Sequence, residues 1–273
     1  MKYWNLPGED SLFKVAYDKY RLFFSNGEIE PKFAPYGAIR EGAVAPMELS
    51  IYYLFLAEHS QGVANEINNL YYRIAQLSAW DKALREYDGE EKLLILLEFV
   101  DPIANFAIGL PYVIRSRFIY TLSHLSHQAN LILDPTWAES ELPAETSINF
   151  QTMEKTAARW QGYIDFLICF KQLNDNNFSA HTRNYRNKNQ HQYPPRVEMG
   201  HTEFITRSRK DTNSMYTVTS KEPLRLLDIH PHLLKQFDVA MECYKLYDKI
   251  VCNQLAQLHN NQSSINGVCL TQA

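Results

Sequence analysis

The sequence contains few glycines and few cysteines, and each shortage excludes a class of protein. Ten glycines in 273 residues are too few for a turn-rich β architecture, whereas helix-favouring Leu, Tyr, Glu, Gln and Lys are plentiful. The four cysteines, Cys169, Cys243, Cys252 and Cys269, show no C-x-x-C spacing. The absence of this motif excludes a zinc ribbon. We expect free thiols in a reducing cytoplasm rather than a disulfide framework.

We also expect no signal peptide and no membrane-spanning run, and the common nucleotide and hydrolase motifs are absent from the sequence. The N-terminal MKYWNLPGEDSLFK has no signal-peptide core, and the apolar LLILLEFV (93–100) is soon interrupted by Asp101 and Pro102. G-x-G-x-x-G, Walker and G-x-S-x-G motifs are absent. We therefore expect a soluble, cytoplasmic protein with no membrane partner, and find no support for a nucleotide-binding fold or a serine hydrolase.

Apolar side chains recur at helical spacing along most of the chain. The predicted helices cover 9–25, 46–60, 63–87, 112–133, 146–173 and 231–259. Pro102 and Pro111 are expected to cut the apolar region before 112 into pieces. Residues 202–220, rich in Thr, Ile, Val, Phe and Tyr around a polar turn, predict a β-hairpin. The fold class is therefore all-α, an antiparallel multi-helix bundle with a small β-hairpin excursion.

One polar stretch stands out, RNYRNKNQHQYPP at 183–195. It contains R-N-x-x-x-H-x-Y, formed by Arg186, Asn187, His191 and Tyr193. Residues 183–210 carry seven cationic side chains against two acidic ones, a net charge of +5 in a chain of formal charge −4. The cationic residues are Arg183, Arg186, Lys188, Arg196, Arg207, Arg209 and Lys210. A focused basic patch on an acidic body is typical of a local phosphate site.

The R-N-x-x-x-H-x-Y run after a long amphipathic helix resembles the signature of the HEPN superfamily, the helical-bundle RNases of toxin–antitoxin and phage-defence systems. It is most similar to the HepT-type form, in which the Tyr two residues after the His belongs to the motif. The resemblance implies a HEPN-like core at about 145–260. The short connection before this core and the apolar helix predicted at 112–133 favour a single extended helical domain, 1–260. Additional helices would occupy 1–140, and 261–273 would form a flexible tail.

The resemblance implies metal-independent cleavage of RNA, in which the substrate's own 2′-hydroxyl attacks the phosphate. His191 would act as general acid or base, because an ordinary histidine pKa lies near ~6.5. Arg186 would stabilise the charge that develops on the phosphate, and Asn187 would orient His191 or the substrate. The remaining residues would bind substrate: Tyr193, Arg183, Lys188 and Arg196. No cofactor or metal is implied.

A second hypothesis is a non-catalytic HEPN-like module that binds RNA, nucleotide or a protein partner through the same patch. The resemblance also implies a homodimer, with an antitoxin or a nucleotidyltransferase as a further partner. A metal site at His124 and His127, three residues apart on a predicted helix, is disfavoured because the chain has no paired Glu-x-x-His elements. We expect these two histidines to be packing residues.

Overall fold

The structure is a computed structural model that describes residues 11–27, 32–36, 47–202, 204–210 and 213–270. Its helices are α1 (Leu12–Ser25), α2 (Ser50–Ala83), α3 (Gly89–Ile95), α4 (Asp101–Leu133), α5 (Phe150–Ala157), α6 (Tyr163–Phe170), α7 (Asn176–His181), α8 (Tyr185–His191) and α9 (Leu226–Leu270). Its strands are β1 (Ile205–Lys210) and β2 (Asn213–Val218). The predicted all-α fold with one small β excursion is confirmed.

The chain divides into two compact units. The first unit comprises Met1–Lys32, Asn69–Leu110 and Asn174–Gln236. The second unit comprises Phe33–Asn68, Pro111–Leu173 and Phe237–Ala273. The single helical domain expected from the sequence stays a prediction. Of the predicted tail, residues up to Leu270 continue α9, and 271–273 lie outside the described residues.

Aromatic rings form the core of the first unit. Trp80 of α2 stacks on Tyr20 of α1, with ring centroids 4.6 Å apart, and on Phe99, at 5.1 Å. Phe13 meets the edge of Phe99 at 5.8 Å. These offset and edge-on contacts between large apolar surfaces join α1, α2 and the turn before α4.

The core of the second unit combines aromatic packing with a buried hydrogen-bonded chain. Tyr52 donates to the side-chain oxygen of Gln254 at 2.8 Å, and Gln254 donates to Ser126 at 3.0 Å. All three side chains are buried, so each polar group depends on this chain for its partners. Phe118 packs edge-on against Phe166 and Tyr247. The central part of α4 is therefore enclosed.

Three predicted helix breaks are wrong, at 61–62, at Pro102 and at Pro111. The chain continues through 61–62, so that α2 is one helix of 34 residues rather than two helices. Pro111 lies inside α4 without ending it. A proline removes one i→i−4 hydrogen bond, and packing outweighs this loss here because Leu110, Pro111 and Ile114 are buried.

The predicted helix 146–173 is instead two short helices, α5 and α6. Asn149 caps α5 by accepting from the backbone N–H groups of Gln151 and Thr152. A turn then leads to Gly162, whose φ of 89° is left-handed and separates α5 from α6. Because α6 restarts with a new phase, the large apolar side chains of Ile164 and Ile168 are 63% and 62% exposed.

The predicted hairpin is confirmed. Strands β1 and β2 pair antiparallel, with Ile205 opposite Val218 and Arg207 opposite Tyr216. Thr202 forms a further bridge to Lys221. Residues 211–212 of the predicted turn lie outside the described residues.

One helical run, Gly89–Leu133, is long and apolar enough by length and composition to cross a membrane. Its most apolar window has a mean hydropathy of 1.9, and 39% of that window is buried within the protein. The expectation that no run reaches spanning length is therefore wrong, because the helix continues through both prolines. Core helices of soluble proteins meet the same criterion, and the cytoplasmic location stays a prediction.

Candidate functional site

The motif helix α8 follows a sharp turn in the first unit. Asp175 caps α7 by accepting from the backbone N–H of Phe178 at 2.8 Å. Arg183 and Asn184 then adopt left-handed conformations, with φ of 53° and 56°. Asn tolerates this region and Arg less so, and the Arg183 guanidinium is held by a hydrogen bond to the carbonyl oxygen of Glu222. The turn fixes where α8 begins.

Helix α8 is anchored on one side and exposed on the other. Tyr185 is buried, and burial raises its pKa to about 12, with the nearby Asp101 carboxylate adding to the shift. Asn189 donates to the side-chain oxygen of Asn105 in α4 at 2.9 Å. Asn187 and His191 are both exposed, and their spacing of four residues gives them the same helix face.

Arg186 occupies a different side of α8. It is half-buried, and its spacing of five residues from His191 corresponds to about 140° around the helix axis and about 7.5 Å along it. The predicted catalytic trio therefore separates into an exposed pair, Asn187 and His191, and a flanking arginine. Among the predicted substrate-binding residues on or before this helix, Arg183 and Lys188 are also half-buried.

A cleft of about 1030 Å³ lies beside the chain that follows α8. Tyr193, which is 90% exposed, and Arg196 line it. The other lining residues are Leu97, Asp101, Pro102, Asn105, Tyr185, Gln192, Pro194, Pro195, Val197, His201, Thr202, Phe204 and Ile205. The structure thus brings two of the seven predicted site residues to the cleft, and the other five are not among its described lining residues.

The cleft lining mixes aromatic, apolar and polar side chains, the usual composition of a small-molecule site. Burial raises the pKa of Asp101, and the charge of Arg196 opposes that shift. The Oδ1 atom of Asp101 is buried without a hydrogen-bond partner among the described residues. The Nδ1 atom of His201, another lining residue, lies 2.9 Å from the hydroxyl oxygen of Ser220. Sequence reasoning missed Asp101, Asn105, Tyr185 and His201.

Glu198 fixes the backbone next to Val197, which lines the cleft. Its φ is 58°, and its side chain is only 9% exposed. One carboxylate oxygen accepts from the backbone N–H of Leu226, the first residue of α9, at 2.6 Å. The other lies 3.5 Å from the Lys92 ammonium and 3.6 Å from the Arg225 guanidinium. The carboxylate thereby satisfies a helix-terminal N–H and joins three segments of the first unit.

The basic patch predicted from 183–210 is only partly available to a ligand. Arg183 is bound to Glu222, and Arg207 of β1 donates to Ser214 and lies over the ring of Tyr216. The side chains of Arg209 and Lys210 lie outside the described set. Arg196 is exposed at the cleft. The positive charge that faces the cleft is therefore smaller than the sequence count.

The two histidines considered as metal ligands are core residues of the second unit. His124 packs against the rings of Phe55 and Tyr120. His127 is fully buried, accepts a hydrogen bond from the Trp137 indole at 3.0 Å through Nδ1, and lies 3.4 Å from a carboxylate oxygen of Glu139. Within the described part of the chain, no three His, Cys, Asp or Glu side chains are grouped to hold a metal ion.

Comparison of the chain with family models, curated proteins and solved structures finds no match. The resemblance to the HEPN superfamily therefore rests on the motif and its position in a helical protein. What the geometry defines by itself is a helical protein with an exposed Asn187–His191 pair next to an aromatic-lined cleft.

Proposed function

We propose that this protein is a metal-independent endoribonuclease of HEPN type that cleaves RNA by attack of the 2′-hydroxyl on the adjacent phosphate. The observation that carries the proposal is the exposure of His191 and Tyr193 at the end of α8, where Tyr193 continues into the cleft. A proton-transferring side chain and a surface for a nucleotide are thus adjacent in the chain.

The proposed chemistry divides between the helix and the cleft. His191 moves the proton of the 2′-hydroxyl or of the leaving 5′-oxygen, and Asn187 orients it from the preceding turn of the same face. Arg186 donates to the phosphate oxygens that gain charge. Tyr193 stacks on a base, and Arg196 holds a neighbouring phosphate at the cleft. Arg183 and Lys188 add positive charge along the RNA path.

The separation of Arg186 and His191 supports a homodimer. Side chains about 140° apart on a helix of seven residues converge poorly on one phosphate within a single chain. A second copy, related by a two-fold axis, would supply the missing partner from its own α8. The exposed face that carries Asn187 and His191 is then the face turned toward the other copy.

The decisive experiment is cleavage of RNA by purified protein in excess EDTA. We expect cleavage to survive chelation and to fall about 10²–10⁴-fold in His191→Ala and about 10²–10³-fold in Arg186→Ala. Gln190→Ala, an exposed residue of the same helix, is the matched control and should cleave normally. A substrate with a single 2′-deoxy sugar at the cut site should resist cleavage.

Equal activity in all four proteins would reject the assignment, because it would indicate a contaminant or another site. Loss of cleavage on chelation would reject the metal-independent mechanism. If the 2′-deoxy substrate gave the same cleavage products as the all-ribose RNA, the 2′-hydroxyl could not be the nucleophile.

A second candidate is a non-catalytic module that binds RNA, a nucleotide or a protein partner. One observation favours it: Arg186 and His191 are not among the described residues lining the cleft, whereas Tyr193, Tyr185 and Arg196 are. A binding module should lose affinity in Arg196→Ala and tolerate His191→Ala. The exposed Tyr193 hydroxyl would also suit a nucleotidyltransferase partner, and the patch an antitoxin, as the HepT resemblance implies.

A further inference from the structure

Two of the four cysteines meet in the core of the second unit. The Sγ atoms of Cys169, next to the last residue of α6, and Cys243 in α9 are 3.0 Å apart. Cys169 and Cys243 are free thiols, with no disulfide between them. A disulfide has an S–S length of about 2.05 Å, so an approach of about 1 Å would join the pair.

We propose that Cys169 and Cys243 form a reversible disulfide when the protein meets a peroxide, and that this bond ties together the two ends of the segment carrying the candidate site. The proposal is independent of the proposed RNase activity, because it rests on the two sulfur positions alone.

The two thiols have distinct roles in this reaction. Cys169 is 9% exposed and Cys243 is 0% exposed, so a small peroxide reaches Cys169 first. The Cys243 thiol donates a hydrogen bond to the Cys169 sulfur, which lowers the pKa of Cys169 and raises that of Cys243. We therefore assign Cys169 as the thiol that reacts with peroxide and Cys243 as the resolving thiol.

The reaction balances in two steps. The Cys169 thiolate attacks one peroxide oxygen, the O–O bond breaks, and the products are a sulfenic acid and hydroxide. The Cys243 sulfur then attacks the sulfenic sulfur, the S–O bond breaks, and the hydroxyl leaves as water with the Cys243 proton. Two thiols are oxidised and one peroxide is reduced. A dithiol reductant reverses the reaction by thiol exchange.

The bond would enclose a specific part of the chain. The cysteines are 74 positions apart, and the residues between them include α7, α8, β1 and β2. Closing a loop of this length restricts the unfolded chain, so the oxidised protein should be the more stable form. Oxidation would thus raise the unfolding temperature without touching a residue of the candidate site.

The test uses the full-length double variant Cys252→Ser/Cys269→Ser, which keeps only the pair. It is treated with hydrogen peroxide, quenched, denatured and alkylated, and its mass is measured with and without dithiothreitol. We expect a protein about 2 Da lighter that takes no alkyl group, and that regains both thiols on reduction. Proteolysis without reductant should give one linked peptide pair, and Tm should rise by on the order of 5–10 °C.

Several outcomes would overturn the proposal. Alkylation of both thiols after peroxide treatment would be one, and oxidation of Cys169 to the sulfinic acid with no linked peptide would be another. A fall in Tm on oxidation would show that the bond distorts the core rather than fitting it. The single variants Cys169→Ser and Cys243→Ser in the same background are matched controls, and neither should form an intramolecular link.

Discussion

Glu198 holds more of the cleft together than any residue that the motif contains. Its carboxylate accepts from the first N–H of α9 and lies near both Lys92 and Arg225. Its backbone N–H donates to Leu224, whose own N–H donates to Arg196 at the cleft. The left-handed backbone at Glu198 is an unfavourable conformation for a non-glycine residue, and these bonds offset its cost.

Glu198→Gln tests this role. The amide keeps the shape and can still accept from Leu226, but it leaves two cations without their counter-charge. We expect the free energy of unfolding to fall by about 1–2 kcal/mol, less than for a fully buried pair because the Arg225 side chain is 50% exposed. Urea unfolding measures the change.

The matched control is Asp18→Asn. Asp18 pairs with Lys14 at 3.3 Å in the same unit, but the two side chains are 63% and 58% exposed. Loss of the Asp18 charge should change the free energy of unfolding by no more than about 0.5 kcal/mol. An equal effect of the two substitutions would contradict the role assigned to Glu198.

The candidate site was only partly predictable from the sequence, because some of its residues are neighbours in the chain and others come from a distant segment. The motif residues, from Arg186 to Tyr193, are contiguous and polar, so their helical surface position follows from the pattern. Asp101 and Asn105 come from the first two turns of α4, more than eighty positions away, and nothing in their neighbourhood marks them. The long-range packing that places them carries no signal in a single sequence.

At the scale of elements, the predictions failed where one residue decides between continuing and ending a helix. Pro111 signals a break but lies among buried side chains, so packing keeps α4 continuous. Gly162 is an ordinary glycine in the sequence, yet its positive φ separates α5 from α6. The hairpin was predictable because its β-branched and aromatic residues flank a polar turn. This pattern is local in the sequence and does not depend on distant contacts.

Gly162→Ala tests the turn between α5 and α6. The φ of 89° is unfavourable for an L-residue, while the added Cβ would meet only Ile250 at an ordinary 3.6 Å. We therefore expect a loss of about 1–2 kcal/mol from the backbone alone. Thermal and urea unfolding of the full chain provide the measurement.

Gly62→Ala is the opposite case and serves as the control. Gly62 lies inside α2, and a Cβ there would meet nothing within 4 Å. Replacing a helical glycine by alanine should stabilise the protein by about 0.5–1 kcal/mol. If both substitutions shift stability in the same direction, the assignment of Gly162 as a left-handed turn residue is wrong.

At the scale of the whole molecule, a formal charge of −4 opposes general attraction to nucleic acid. Any RNA must therefore be held at a restricted place, and Arg183 and Arg207 are already engaged within the protein. A dimer would bring two copies of the remaining basic residues together. Because the acidic side chains are doubled as well, only a dimer whose two α8 helices lie close together would concentrate positive charge at the RNA, which is the arrangement that the placement of Arg186 and His191 favours.

Mixing two inactive variants tests whether one site uses residues of two chains. If Arg186 of one copy acts with His191 of the other, a heterodimer of Arg186→Ala and His191→Ala contains one intact site and one doubly defective site. After unfolding and refolding an equal mixture, half of the dimers are heterodimers, so cleavage should return to about a quarter of the wild-type rate. Each variant refolded alone is the control and should stay inactive. Recovery of cleavage requires both the dimer and the shared site. If subunits are shown to exchange and the mixture still does not cleave RNA, each chain must bring its own Arg186 and His191 to the phosphate.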